Sequence, residues 1–279
     1  MKKLINKYLP RIIGLQLNSI FRINRKKAVI KVYRIFCTPR KGKIRPHHKN
    51  FLDLAKASTV KIGSIDIQVY HWKKENAPTL LLVHGWDSNS GRWEMFVKHF
   101  QKTYNIVAFD SPAQGNSGGK VLHVPIYAKT LNKMIQLYQP EYLIGHSMGG
   151  MTIFFHQYQY NSTSIKKIVS LGAPSELSNI MDNLKRVMRL KTALMNEVEL
   201  YFKDKFGYKF SEFSSQTFVK SIQVPTFVIH DQYDKVVRIE EAKMIDKALP
   251  NSKLLITEGA GHSLAKVKVN QAIEEFLKD

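Results

Sequence analysis

Cysteine is nearly missing from this chain, and over the first fifty residues so is negative charge. One cysteine, Cys37, stands among 279 residues. No internal disulfide can form, which excludes a small secreted scaffold stapled by bridges. No run of 18 or more apolar residues occurs, so no membrane-spanning helix is expected. Lys2 and Lys3 could open a signal peptide. However, the apolar stretch 9–17 is interrupted by Pro10, Arg11, Gly14 and Gln16, and no small-residue cleavage site follows. These absences lead to the expectation of a cytoplasmic protein, with peripheral membrane contact left open. No P-loop, dinucleotide fingerprint or Cys/His cluster is found, so neither an organic cofactor nor a metal is expected.

What is present is a strong positive charge, unevenly placed. The formal net charge is +21, and residues 1–50 hold 15 Lys or Arg with no Asp or Glu. The rest of the chain holds 28 basic and 22 acidic side chains and is only mildly basic. Basic and apolar residues alternate in this N-terminal arm. That suits either partial packing on a domain with solvated cations outside, or contact with an anionic membrane surface. Nucleic acid is not an expected partner. Phe21, Tyr33 and Phe36 lie among the basic residues, but no nucleic-acid module is recognisable.

The apolar pattern divides the chain into an arm at 1–50, a core at 51–173 and 226–279, and an insertion at 174–225. Residues 1–36 read as mostly helical with a break near Pro10 and Gly14, and 38–50 as a basic linker. Segments 59–62 and 65–72 alternate around Gly63-Ser64 as a hairpin. Strands follow at 79–84, 105–110, 142–146, 167–171, 226–230 and 253–257, with helices at 91–101, 125–138, 148–160, 239–248 and 267–278. Strand alternating with helix predicts an α/β fold with a mostly parallel sheet and helices on both faces. The insertion has no strand and reads as a helical cap over the carboxyl ends of the strands, where open α/β sheets bind ligands. Its apolar residues, such as Met181, Leu194 and Phe202, are expected mainly to pack, with a few lining an apolar pocket.

The richest signal is Tyr142-Leu143-Ile144-Gly145-His146-Ser147-Met148-Gly149-Gly150. A strand runs into Gly-x-Ser-x-Gly and then into a helix. Small residues around the serine permit a sharp turn that exposes its hydroxyl, and Ser147 is therefore the candidate nucleophile. His262, between Gly261 and Ser263 on the loop after the last strand, is the candidate base. His146 adjoins Ser147 but is expected to point away from its hydroxyl, and His84 is expected to support the neighbouring loop. The acid that orients the base is expected from His230-Asp231-Gln232-Tyr233-Asp234. Asp234 is preferred to Asp231 because it lies further into the loop, before an apolar pair. Backbone N–H groups of Met148 and Trp86 are the candidate oxyanion donors, and the same two residues are candidate substrate contacts.

These motifs resemble those of serine members of the α/β-hydrolase superfamily, from about residue 60 onward. The likeness covers the His84-Gly85-Trp86 loop, the serine turn, the late Asp and His loops, and Asp110-Ser111-Pro112-Ala113-Gln114-Gly115-Asn116-Ser117. The last is similar to the superfamily's D-x-P-G-x-G-x-S loop, departing at Ala113 and Gln114. The resemblance implies hydrolysis of a carboxylic ester or thioester of small to medium size through an acyl-enzyme, without a cofactor. Two alternatives remain: an acyltransferase using the same triad, or a non-catalytic ligand-binding protein of this fold.

Overall fold

A computed structural model describes residues 2–279, with side chains from Tyr8 onward. Along the chain run helices α1 (Lys2–Ile23), α2 (Arg25–Cys37) and α3 (Pro46–Leu52), then strands β1 (Lys56–Ile62), β2 (Ile65–Trp72) and β3 (Thr79–Val83). A 3-10 turn (Ser90–Trp93) leads into α4 (Glu94–Phe100), β4 (Asn105–Phe109), α5 (Val124–Tyr138), β5 (Tyr142–His146), α6 (Met148–Tyr160) and β6 (Lys167–Leu171). The inserted stretch holds α7 (Leu177–Met188) and α8 (Thr192–Phe206). The chain then completes α9 (Ser215–Phe218), β7 (Thr226–Asp231), α10 (Ile239–Ala248), β8 (Ser252–Thr257) and α11 (Val267–Lys278).

The chain forms two compact units, one of residues 39–175 and 215–279, the other of residues 1–38 and 176–214. The first contains one eight-stranded sheet in the order β1-β2-β4-β3-β5-β6-β7-β8. β1 pairs with β2, and β2 with β4, antiparallel; all other pairings are parallel. The inner strands are continuous apolar runs because helices cover both faces. Leu80, Leu81, Leu82 and Val83 of β3 and Ile106, Val107, Ala108 and Phe109 of β4 have no exposed surface. This is the α/β-hydrolase fold. Crossovers from parallel strands bring the loops after β3, β5, β7 and β8 to one edge of the sheet.

The basic stretch at 38–50 is not a free linker. Gly42 O accepts from Gly115 N–H at 2.8 Å, and Asp87 Oδ1 accepts from the N–H groups of Arg40 and Lys41 at 2.7 and 3.0 Å. Pro46 opens α3, whose Phe51 and Leu52 are buried, with Phe51 stacked on Trp72. Main-chain bonding and two large apolar side chains order this segment, and neither signal stands out among so many cations.

In the second unit the expected break at Pro10 and Gly14 is absent. α1 runs through both residues and ends at Ile23, and the side chain of the next residue, Asn24, caps α2 by accepting from Lys27 N–H at 2.8 Å. Tertiary contact outweighs the local cost of proline and glycine. Gly14 lies so close to the end of α7 that an added Cβ would come within 1.7 Å of Met188 O. Asn18 donates to Arg189 O at 3.0 Å and accepts from Lys191 N–H at 3.0 Å, fastening α1 to the turn between α7 and α8. Tyr33 of α2 meets Tyr201 and Phe202 of α8 edge-on. The arm and the 176–214 stretch are thus one packed body. No helix among the described residues is long and apolar enough to cross a membrane.

Gly14→Ala should lower the urea midpoint, at a cost of about 1–3 kcal/mol for forcing the two backbones apart. Gly63→Asn, at φ 59° with no atom within 4 Å of an added Cβ, should stay within about 0.5 kcal/mol of the parent. Equal midpoints for Gly14→Ala and the parent would show that α1 can move away from α7 without penalty.

Candidate active site

One residue, Ser147, separates the end of β5 from the start of α6. Its φ of 53° and ψ of −122° lie where a non-glycine residue is strained. Three contacts hold the bend. Ser147 N–H donates to Leu171 O on β6 at 2.8 Å, and Ser147 O accepts from Gly150 N–H at 2.9 Å and Met151 N–H at 3.3 Å, which starts the helix. The flanking glycines are needed for close approach. A Cβ at Gly149 would lie 2.1 Å from Val83 O, and one at Gly145 would lie 2.6 Å from Gly150 N. The serine is therefore raised on a bend that the backbone itself stabilises.

The loop after β8 brings His262 to it. His262 Nε2 stands 3.1 Å from Ser147 Oγ, and Nδ1 stands 2.7 Å from Asp234 Oδ2. The Asp234 side chain is fully buried. Burial alone would raise its pKa, but hydrogen bonds from His262, Val236 N–H and Val237 N–H outweigh this and hold it below the usual carboxylate range. An ionised carboxylate only accepts, so His262 Nδ1 carries the proton and Nε2 is free to accept from the serine hydroxyl. Asp231 has different work. Its Oδ2 accepts from Ala260 N–H at 2.7 Å and Thr257 Oγ1 at 3.0 Å, which ties the His262 loop to β7. The structure thus joins Ser147, His262 and Asp234 in one hydrogen-bonded row and leaves Asp231 outside it.

Two further histidines brace the row, and neither could be assigned from local sequence. His146 Nε2–H donates to His262 O at 2.8 Å, and the two rings are 4.9 Å apart. Burial first, then the nearby cation Arg92, push the His146 pKa well down, so it is held neutral. His230 is fully buried, with Nε2 donating to Val237 O at 3.0 Å and lying 3.4 Å from Asp234 Oδ2. Arg92 donates to Ser263 O at 3.0 Å while its guanidinium lies over the Trp93 ring. The main chain on either side of the His262 side chain is therefore held from several directions. Only a weak signal existed for these roles: His146 directly precedes the serine, and His230 ends a strand.

The loop after β3 lies against the serine, since a Cβ on Gly85 would be 3.0 Å from Ser147 Cβ. Trp86, next along, is partly exposed, and Met148 follows the bend at the first turn of α6. His84 shapes this loop: Nδ1–H donates to Gly85 O at 2.8 Å and Nε2 accepts from Ser111 N–H at 2.9 Å. Burial pushes its pKa down to about 4, so the ring is neutral. Behind it the 110–117 loop is fully engaged. Asp110 accepts from Ser90 N–H and Asn116 N–H, each at 2.8 Å. Gln114 donates to Gly85 O at 3.1 Å and Ser111 Oγ at 2.8 Å. Ala113 adopts φ 64°, which costs about 1 kcal/mol relative to glycine. Both departures in this loop are accommodated, one by strain and one by a buried amide with three partners. Among the described residues no group of three or more His, Cys, Asp or Glu side chains could hold a metal ion.

A family model described as alpha/beta hydrolase fold matches residues 78–190, and one described as TAP-like protein matches residues 210–279. The monoacylglycerol lipase ABHD6 of Bos taurus is 23% identical over 67% of this chain and 70% of its own length. The bifunctional esterase/perhydrolase DCH of Acinetobacter calcoaceticus is 23% identical over 78% of this chain and 97% of its own. A crystal structure of a membrane phospholipase A shares the fold at a TM-score of 0.65 and 15% identity, covering 100% of this chain and 98% of that one. With the strand order and both family matches in agreement, the chain belongs to the α/β-hydrolase superfamily.

Proposed function

We propose that this protein is a serine hydrolase that cleaves a carboxylic ester or thioester through an acyl-enzyme. The observation that carries the reading is the unbroken row from Ser147 Oγ through His262 to the buried Asp234 carboxylate. Relatives named as a monoacylglycerol lipase and an esterase support the same class of bond.

In the proposed course, Ser147 Oγ attacks the acyl carbon as its proton passes to His262 Nε2. Asp234 stabilises the imidazolium and keeps the ring oriented. The negative charge that develops on the carbonyl oxygen is met by N–H groups of Met148 and Trp86, each such donor being worth on the order of 3 kcal/mol. His262 then returns its proton to the leaving alcohol or thiol. A water gives a proton to His262, attacks the acyl carbon and releases the acid with the serine restored. Each step is an acid–base or acyl-transfer step that the named side chains can carry.

Labelling with a fluorophosphonate tests the nucleophile. The parent should label at Ser147, and Ser147→Ala should not label, with kcat on p-nitrophenyl esters down by about 10⁴-fold or more. Equal labelling of the two proteins would remove Ser147 from the mechanism. Asp234→Asn keeps the shape but favours the wrong imidazole tautomer, so kcat should fall by about 10⁴-fold while the fold persists. A loss of tenfold or less on the same esters would mean that the carboxylate does not orient His262.

Acid should act on stability. His84, His146 and His156 have folded pKa values depressed by burial, to about 4 for His84 and His156. The unfolded chain therefore binds more protons than the folded one below the unfolded histidine value of about 6.5. Their contribution is complete above that pH and is lost as pH falls from about 6.5 toward 4. Asp234, whose pKa is also lowered, adds a further loss below about pH 4. Urea midpoints measured from pH 8 to 4 should fall mainly below 6.5; a flat profile over that range would contradict the buried neutral histidines.

A further inference from the structure

In the unit of residues 1–38 and 176–214, the part of α1 from Tyr8 onward is buried on one side and exposed on the other. Gly14, Leu17 and Asn18 occupy the covered side. Tyr8, Ile12 and Leu15, spaced four and three residues apart, share the opposite face and are 44%, 51% and 63% exposed. The row ends at the corner between α1 and α2, where Ile23 is 89% exposed. Single exposed apolar side chains are ordinary, but several in one helical row are not.

Charge says what would cover this face. Residues 1–38 hold ten Lys or Arg and no acidic residue, and residues 176–214 add seven basic against six acidic side chains. Arg22, Lys26 and Lys27 are exposed and surround Ile23 in sequence. Arg25 has an exposed pairing with Glu197 at 3.9 Å and lies over the Phe21 ring. Two copies of such a surface would repel one another, whereas an anionic bilayer would both neutralise the cations and take up the apolar row. α1 contains Lys2, Lys3, Lys7, Arg11 and Arg22 and cannot lie across a bilayer. A helix with an apolar row flanked by cations lies in the plane of the interface.

We propose that the exposed face of α1 and the Ile23 corner dock this protein on the surface of an anionic lipid membrane. Ile12, Leu15 and Ile23 enter the level of the headgroups, and Arg22, Lys26 and Lys27 meet the lipid phosphates. The inference stands on α1 and the first turn of α2 and does not depend on the reaction assigned to Ser147.

The test is cosedimentation of the full chain with vesicles of phosphatidylcholine alone, and with vesicles holding about a quarter phosphatidylglycerol. Binding to the anionic vesicles should be stronger by about tenfold or more and should weaken as salt rises from about 0.1 to 0.5 M. The combined Ile12→Ser, Leu15→Ser and Ile23→Ser variant should bind about tenfold more weakly or worse, as should Arg22→Gln with Lys26→Gln and Lys27→Gln. All six side chains are exposed, so thermal midpoints should match the parent. Ile23→Trp, which puts a larger interfacial side chain at the corner, should tighten binding. Parent protein left in the supernatant, binding indifferent to phosphatidylglycerol, or serine variants that bind like the parent would each overturn the proposal. So would a parent dimer in sedimentation velocity that the serine variants split, since the face would then belong to a second copy.

Discussion

The site depends on a single bend in the backbone. Ser147 is the one residue between β5 and α6, and it is held at a positive φ that a serine adopts only under constraint. The constraint is local and long-range at once. The helix start accepts the bend through Ser147 O, while β6 fixes it through Leu171 O. Val83 of the neighbouring strand and His84 just after it leave room only for glycine at position 149. Parallel pairing of β3, β5 and β6 therefore sets both the sheet and the angle at which the hydroxyl leaves it. Strain at one residue is tolerated because so many buried backbone groups agree on the same geometry.

Around that bend the electrostatics are arranged by burial and by backbone groups more than by ion pairs. His84 and His146 are neutral because they are desolvated, and each uses an N–H to hold a carbonyl of a loop at the site. Asp234 shows the opposite balance. It is equally buried, yet two backbone N–H groups and His262 stabilise its charge beyond the desolvation cost. A carboxylate kept ionised beside an imidazole, with the imidazole's main chain pinned by His146 and Arg92, defines one tautomer and one ring position. That is the requirement for a proton acceptor poised on a hydroxyl.

The second unit follows a different logic. Proline and glycine inside α1 weaken it as an isolated helix, and the sequence accordingly suggests a break. In the folded protein Gly14 is what allows α1 to lie against the end of α7, and Asn18 completes the bonds of the turn beyond it. Residues separated by about 170 positions thus decide whether the N-terminal segment is an arm or part of a body. The charge of the segment survives this packing, because its cations stay outside while Leu17, Val29 and Val32 turn inward.

The sequence alone determined the order and kind of the elements in the sheet-bearing unit. Apolar strand runs of five residues and amphipathic helices are local signals, and the strands β3 to β8 fall within one or two residues of where alternation places them. It also determined which residues are candidates for chemistry: a serine between glycines after a strand, and aspartate and histidine on later loops that must reach the same edge. Only the tertiary structure decided which candidates meet. Asp234 and Asp231 lie on one loop, and just the former reaches His262, because the turn at Val236 and Val237 directs its carboxylate inward while Ala260 and Thr257 engage the latter. The supporting roles of His146, His230 and Arg92, the ordering of residues 39–45, and the union of α1 with residues 176–214 were likewise decided by contacts between distant parts of the chain. Such contacts leave no periodic trace in sequence, because a hydrogen bond to a far carbonyl or a glycine against a far backbone depends on where the fold brings two segments, not on the residues beside either one.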